Sequence, residues 1–182
     1  MTNAFLHGGV IHLLFNMWAL WVFGPAVEDR FGARKFLTYY LLTAFFASLA
    51  HAALNPASQI PALGASGAIS GVIGAYVRMF PMSRLVMVVP VLIFPFFFEI
   101  SAAGFAAIWI IMQIIPGIAS LMLPPDAGGV AWWAHLGGFA AGWLLTPVMR
   151  RPAPAYRRFF SDEGVYGFFP DGGRFRGGGV WR

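Results

Sequence analysis

Cysteine is absent from this chain of 182 residues. That excludes disulfides, thiol catalysis and thiolate metal sites, and leaves the redox compartment open. Charge is also scarce: 10% of the residues are Asp, Glu, Lys or Arg, against about 25% in a soluble domain. Apolar residues take their place, at 59% where a soluble domain has about 45–50%. This balance excludes an ordinary soluble domain and indicates a membrane protein of one domain. A cleavable signal peptide is not expected, because no basic stretch leads the chain and the first apolar run carries histidines and an asparagine. The opening "MTNAFLHGG" has no polar lead-in, so Met1 is expected to be an internal start or a truncation point.

Hydropathy broken at charges, glycine and proline gives five candidate membrane segments, at 10–27, 36–54, 66–80, 101–123 and 132–149. Between the third and fourth lies "RLVMVVPVLIFPFFFE" (84–99). Its prolines, Pro90 and Pro95, argue against a straight span, so an interfacial or broken segment is expected there. The net charge is +5, yet the basic residues form no patch suited to a polyanion, and no nucleic-acid partner is expected. Arg30, Arg34 and Lys35 follow the first segment, Arg78 and Arg84 the third, and Arg150, Arg151, Arg157 and Arg158 the last. Stretches 1–9, 51–65 and 124–131 contain neither Lys nor Arg. All the basic residues thus fall on one side of an alternating path, which the positive-inside rule makes cytoplasmic. Residues 1–149 read as the transmembrane domain. Residues 150–182, rich in Gly, Pro and Arg, read as a flexible, membrane-adjacent cytoplasmic tail. A bacterial inner membrane fits this bias.

Polar side chains inside a bilayer are expensive and usually have a partner or a task. His7, His12 and Asn16 lie in the outer part of the first segment, Ser66 opens the third, and His135 stands about one turn into the last. The alternating path puts all five in the outer half of the membrane. From Ser66 to Arg78 is 12 residues, about 18 Å of helix against about 30 Å of hydrocarbon. Ser66 is therefore expected about 10 Å below the outer surface. The loop "NPASQIPALGA" would dip inside the protein towards a water-filled cavity.

In helical phase, Gly67, Gly71 and Gly74 share an arc of about 60° beside Ser66, and His135, Gly138 and Gly142 share a similar one. Two glycine ridges allow close backbone approach and would bring Ser66 and His135 together. A hydroxyl beside an imidazole is the minimum for base-activated nucleophilic attack. The helix N-terminus at Ser66 favours a developing oxyanion, and His12 and Asn16, one turn apart, could both donate to it. Apart from Asp126 near the loops, no carboxylate lies at matching depth, so a Ser–His dyad is expected. No metal or cofactor is expected.

Together these residues resemble the rhomboid family of intramembrane serine proteases. The match consists of "HGGVIHLLFN" (His7, His12, Asn16), "EDRFG" after the first segment, "GASG" around Ser66 and "AHLGG" around His135, and covers most of residues 3–149. The resemblance implies an all-α, polytopic helical bundle, here with about five transmembrane helices plus the interfacial segment. It implies Ser66 as nucleophile and His135 as general base. His12 and Asn16 would help the Ser66 amide hold the oxyanion, and His7 would be a supporting polar residue near the cavity mouth. The substrates implied are single-span membrane proteins, cut in or near their transmembrane segments. Two departures stand out. The family core has six spans, and the first, with the long outer loop after it, has no counterpart here. Some members also stack an aromatic, four positions after the nucleophile, on the base; that position is Ser70, so His135 must be oriented in another way.

Plainer readings exist for each residue. Ser66 alone suits small-residue helix packing, and His135 alone suits a satisfied intramembrane histidine or a proton relay. "GASGA" is not the nucleophile elbow of soluble hydrolases, which needs glycine where Ala68 stands. A metal site from His7, His12, His51 and His135 lacks a carboxylate, and His7 and His12 fall on different helix faces. Glu28, Asp29 and Arg30 read as a structural charged cluster, Trp132 and Trp133 as an interfacial aromatic belt, and Gln113 as an interhelical hydrogen-bonding residue with no assigned chemistry. A catalytically inactive rhomboid-like protein that binds transmembrane helices would use the same fold. A transporter would show lining acids or repeated halves, and neither is present.

Overall fold

The computed structural model describes residues 2–56, 63–91, 94–122 and 130–151. A 3-10 turn (Thr2–Phe5) precedes five α-helices: α1 (Val10–Phe31), α2 (Ala33–Leu54), α3 (Ser66–Met79), α4 (Ala102–Ser120) and α5 (Trp132–Met149). Each expected segment is a helix in its expected place. Between α3 and α4 stands an antiparallel hairpin, β1 (Arg84–Val91) and β2 (Phe94–Ser101), where an interfacial or broken segment was expected. The β-branched and aromatic run through Val86, Val88, Val89 and Phe96–Phe98 favours a pleated chain over a helix. Pro90 and Pro95 face each other in the register; lacking N–H groups, they fit only where the ladder needs no donor. The Arg84–Glu99 ion pair (3.0 Å) lies at the base of the hairpin. Much of the loop after α2 (57–62), Asp126, and 152–182 of the tail lie outside the described residues.

The helix α3 is the centre of the bundle. Ten of its fourteen residues are buried, because its glycines and alanines let neighbouring helices close on it, and Pro81, just past its end, blocks continuation. Among the described residues, α1, α2 and α4 are long and apolar enough to cross a membrane, and the chain is an integral membrane protein. Ile11, Phe15, Trp18 and Trp21 of α1 and Ile111, Ile115 and Ile118 of α4 are exposed, the surface a bilayer would cover.

Helix directions follow from the contacts. Gly64, just before α3, faces His12 near the start of α1, and Gly67 and Gly71 face Gly138 and Gly142 of α5 in the same order. Thus α1, α3 and α5 run parallel. Gly67 meets Ala47 and Gly71 meets Thr43, so α2 runs the other way. At the far end the Arg30 guanidinium lies 5.2 Å from the centre of the Phe80 ring, the Arg151 N–H donates to the Arg30 carbonyl (3.1 Å), and Arg78 donates to the Trp143 carbonyl (2.8 Å). The described basic residues therefore gather at the end of the bundle opposite Ser66. Glu28 and Asp29 are exposed at that end of α1.

Backbone contact between α3 and α5 sets the bundle's geometry. A methyl on Gly138 would overlap the Gly67 carbonyl, one on Gly142 the Gly71 carbonyl, and one on Gly74 would sit 2.6 Å from the Phe139 carbonyl. Backbone cannot swing aside as a side chain can, so the helices would have to separate. Polar groups at this interface are satisfied locally: the Tyr39 hydroxyl donates to the Gly71 carbonyl (2.7 Å) and Thr146 to the Gly142 carbonyl (2.7 Å). Gly138→Ala is expected to destabilise the protein by about 1–3 kcal/mol, read as a lower unfolding midpoint in detergent. Gly9→Ala, with nothing within 4 Å of the added methyl, meets no such clash, and its cost should be limited to about 1 kcal/mol for the poorer N-cap it makes at the start of α1.

Candidate functional site

Ser66 is the first residue of α3, and Ala65 before it provides no side-chain cap. The first N–H groups of a helix lack intrahelical acceptors, so this positive helix end is unneutralised beside the serine hydroxyl. Gly64 turns the chain into α3 at φ +118°, a conformation that side-chain-bearing residues rarely adopt. A methyl there would also sit 2.7 Å from His12 Cε1 and 2.9 Å from its Nε2. Glycine is thus required both by the turn and by the imidazole pressed against it.

His135, one turn into α5, reaches Ser66: its Nε2 lies 2.8 Å from Ser66 Oγ. Its Nδ1 lies 2.7 Å from Gln113 Oε1 on α4. An amide oxygen only accepts, so Nδ1 carries the proton and Nε2 presents its lone pair to the serine. Trp109 lies with its ring centre 6.1 Å from that of His135, and Trp132 meets it edge-on at 6.3 Å. Trp132, read from the sequence as part of an interfacial belt, also packs against the imidazole. Ser70 directs its hydroxyl to the Ser66 carbonyl (2.6 Å).

His12 and Asn16 approach the same spot from α1. His12 Nδ1 accepts from the Gly8 N–H (3.4 Å), so in the neutral ring Nε2 holds the proton, on the side facing Gly64. Asn16 is buried, and among the described residues nothing hydrogen-bonds its Nδ2; that nitrogen is 3.6 Å from the Gly64 Cβ position. Two donors thus converge beside the start of α3. His7 lies before α1 rather than on it, so helical phase does not separate it from His12, and the two rings stand 5.4 Å apart, edge to face. Behind Ser66 a cavity of about 20 Å³ is lined in part by Asn3, Ser48, Gly64 and Gly67, enough for one water.

The structure brings together Ser66, His135, His12 and Asn16, with His7 against His12. It adds Gln113, Trp109 and Trp132, which sequence reasoning did not place in the site. The available signal for Gln113 was a single amide in an apolar helix, which in a membrane calls for a partner.

Fold and site together define a class: a polytopic helical membrane protein whose bundle encloses a hydrogen-bonded serine–histidine pair at a helix N-terminus. The Rhomboid domain profile matches residues 1–152. Rhomboid protease GluP of Bacillus subtilis (strain 168) is 44% identical over 75 residues, which is 41% of this chain and 14% of that protein. Rhomboid protein 1, mitochondrial, of Saccharomyces cerevisiae is 32% identical over 157 residues, 82% of this chain and 42% of the relative. RHOMBOID-like protein 1 of Arabidopsis thaliana is 33% identical over 156 residues, 85% and 35% respectively. The chain belongs to the rhomboid family, and it spans less than half the length of each of these relatives.

A buried donor without a partner contributes no stability and carries a desolvation cost of about 1–3 kcal/mol. Asn16→Ala is therefore expected to leave the unfolding midpoint within about 1 kcal/mol of wild type. A loss above about 2 kcal/mol would assign Asn16 to the packing of the bundle instead.

Proposed function

We propose that this chain is an intramembrane serine endopeptidase that cleaves single-span membrane proteins in or near their transmembrane segments. The observation that carries the reading is the 2.8 Å contact between Ser66 Oγ and His135 Nε2, with Nδ1 held as the donor. Similarity to a relative named a rhomboid protease supports it. In this reading the Ser66 O–H passes its proton to His135 Nε2 as Oγ attacks the scissile carbonyl carbon. The carbonyl oxygen becomes an oxyanion beside the α3 N-terminus, within reach of the His12 Nε2–H and Asn16 Nδ2 donors; preorganised donors of this kind stabilise the charge as it forms. His135 then returns the proton to the departing amine, leaving an acyl group on Ser66. A water from the small cavity beside Asn3, Ser48 and Ser66, activated by the same imidazole, hydrolyses that ester. His7 supports His12 at the site's edge.

The gathering of basic residues at the end opposite Ser66 supports an orientation with that end, and residues 150–182, in the cytoplasm. The site would then open to the outer leaflet, as in a bacterial inner membrane.

Purified protein should be labelled at Ser66 by a fluorophosphonate and should cleave a single-span reporter after reconstitution into vesicles. Ser66→Ala is expected to abolish both. His135→Ala should reduce cleavage at least about a thousandfold, and Asn16→Ala about 10–1000-fold, as for loss of one oxyanion donor. Persistent labelling in Ser66→Ala would overturn the assignment.

A further inference from the structure

Gln113 is the only amide in α4, whose sequence is otherwise apolar apart from its final serine, and it is 5% exposed. Both ends of this amide are engaged. Its Nε2 donates to the Trp109 carbonyl at 3.2 Å, and its Oε1 lies 2.7 Å from His135 Nδ1. A carbonyl only accepts, so the Trp109 contact settles which end of the amide faces the histidine. A reversed amide would aim two N–H groups at Nδ1, moving the ring proton to Nε2. Nε2 could then no longer receive a proton from Ser66. The chain of contacts thus has one consistent proton arrangement: Ser66 O–H to Nε2, Nδ1–H to Gln113 Oε1, and Gln113 N–H to Trp109 O.

We propose that Gln113 is a positioning residue that sets the tautomer and rotation of His135; the proposal rests on the Ser66–His135 reading above. It does for the imidazole what a carboxylate does in soluble serine hydrolases, but with a neutral group. The physical reason is the medium. An ionised carboxylate deep in an apolar bundle carries a large desolvation penalty, whereas an amide with both ends bonded carries little. The rings of Trp109 and Trp132 beside His135 restrict its rotation further, at a site where the serine at position 70 has no ring to offer. Because the acceptor is neutral, its contribution is expected to be smaller than the ~10⁴-fold of a buried carboxylate partner.

The test uses the purified full chain. Gln113→Met, similar in length and suited to an apolar helix, is expected to lower the fluorophosphonate labelling rate of Ser66 about 10–100-fold while the unfolding midpoint stays near wild type. Gln113→Glu, kept protonated by its apolar surroundings, still offers its carbonyl oxygen to Nδ1–H and its O–H to the Trp109 carbonyl, and should label within a few-fold of wild type. A purely structural role would not move the second readout, ¹⁵N-histidine NMR. The His135 signals, identified by their loss in His135→Ala, should show a protonated Nδ1 and a bare Nε2 in wild type, shifting toward protonated Nε2 in Gln113→Met. Wild-type labelling in Gln113→Met, or an unchanged tautomer, overturns the proposal. Should that variant fail to fold, a wild-type signal with the proton on Nε2 overturns it and one with the proton on Nδ1 supports it. Absence of Ser66 labelling in wild type would instead refute the protease reading, and the tautomer comparison would still judge Gln113.

Discussion

The close approach of two backbones underlies the rest of this structure. Gly138 and Gly142 of α5 lie so tightly against the Gly67 and Gly71 carbonyls of α3 that no methyl fits between them. Small-residue seams are a favoured way to join helices where lipid removes the usual hydrophobic drive. Here the seam begins directly beside Ser66 and His135, so the spacing that packs the helices also sets the 2.8 Å contact between hydroxyl and imidazole. Packing and site geometry have one cause, and α3, almost wholly buried, is the element they share.

Around that seam, polar groups are handled in two ways. Those within the bundle bond to nearby carbonyls: Tyr39 to Gly71, Thr146 to Gly142, Ser70 to Ser66. An unpaired polar group in a low-dielectric interior is costly, and these bonds avoid that cost. At the opening of α3 the pattern changes. The helix end has no side-chain cap, and the Asn16 amide nitrogen has no partner among the described residues. His12, with Nδ1 engaged by Gly8, turns its protonated nitrogen the same way. Donor capacity is thus available beside Ser66, whose hydroxyl is held by an imidazole.

Much of this was legible in the residues. Five apolar segments became five helices, because long apolar runs bounded by charge, glycine and proline leave a membrane chain few other choices. The alternation of basic residues foretold which helix ends lie together. The hairpin was not foreseen: two prolines ruled out a straight helix, but the strand preference of the valines and phenylalanines around them is a weaker signal than a helical period. The relation of His7 to His12 was misjudged because helical phase was applied to a residue that precedes the helix.

The sequence by itself determined the membrane class, the number and place of the helices and the glycine ridges, and it singled out five polar residues as candidates for a site. These follow from composition and from the fixed 100° step of a helix, both local properties. Tertiary structure decided which ridge meets which, that Trp132 turns inward, and that Gln113, 22 positions from His135 along the chain, supplies the acceptor for its Nδ1. Such pairings join side chains on separate helices, and no periodicity within one helix specifies how far it rotates against the next.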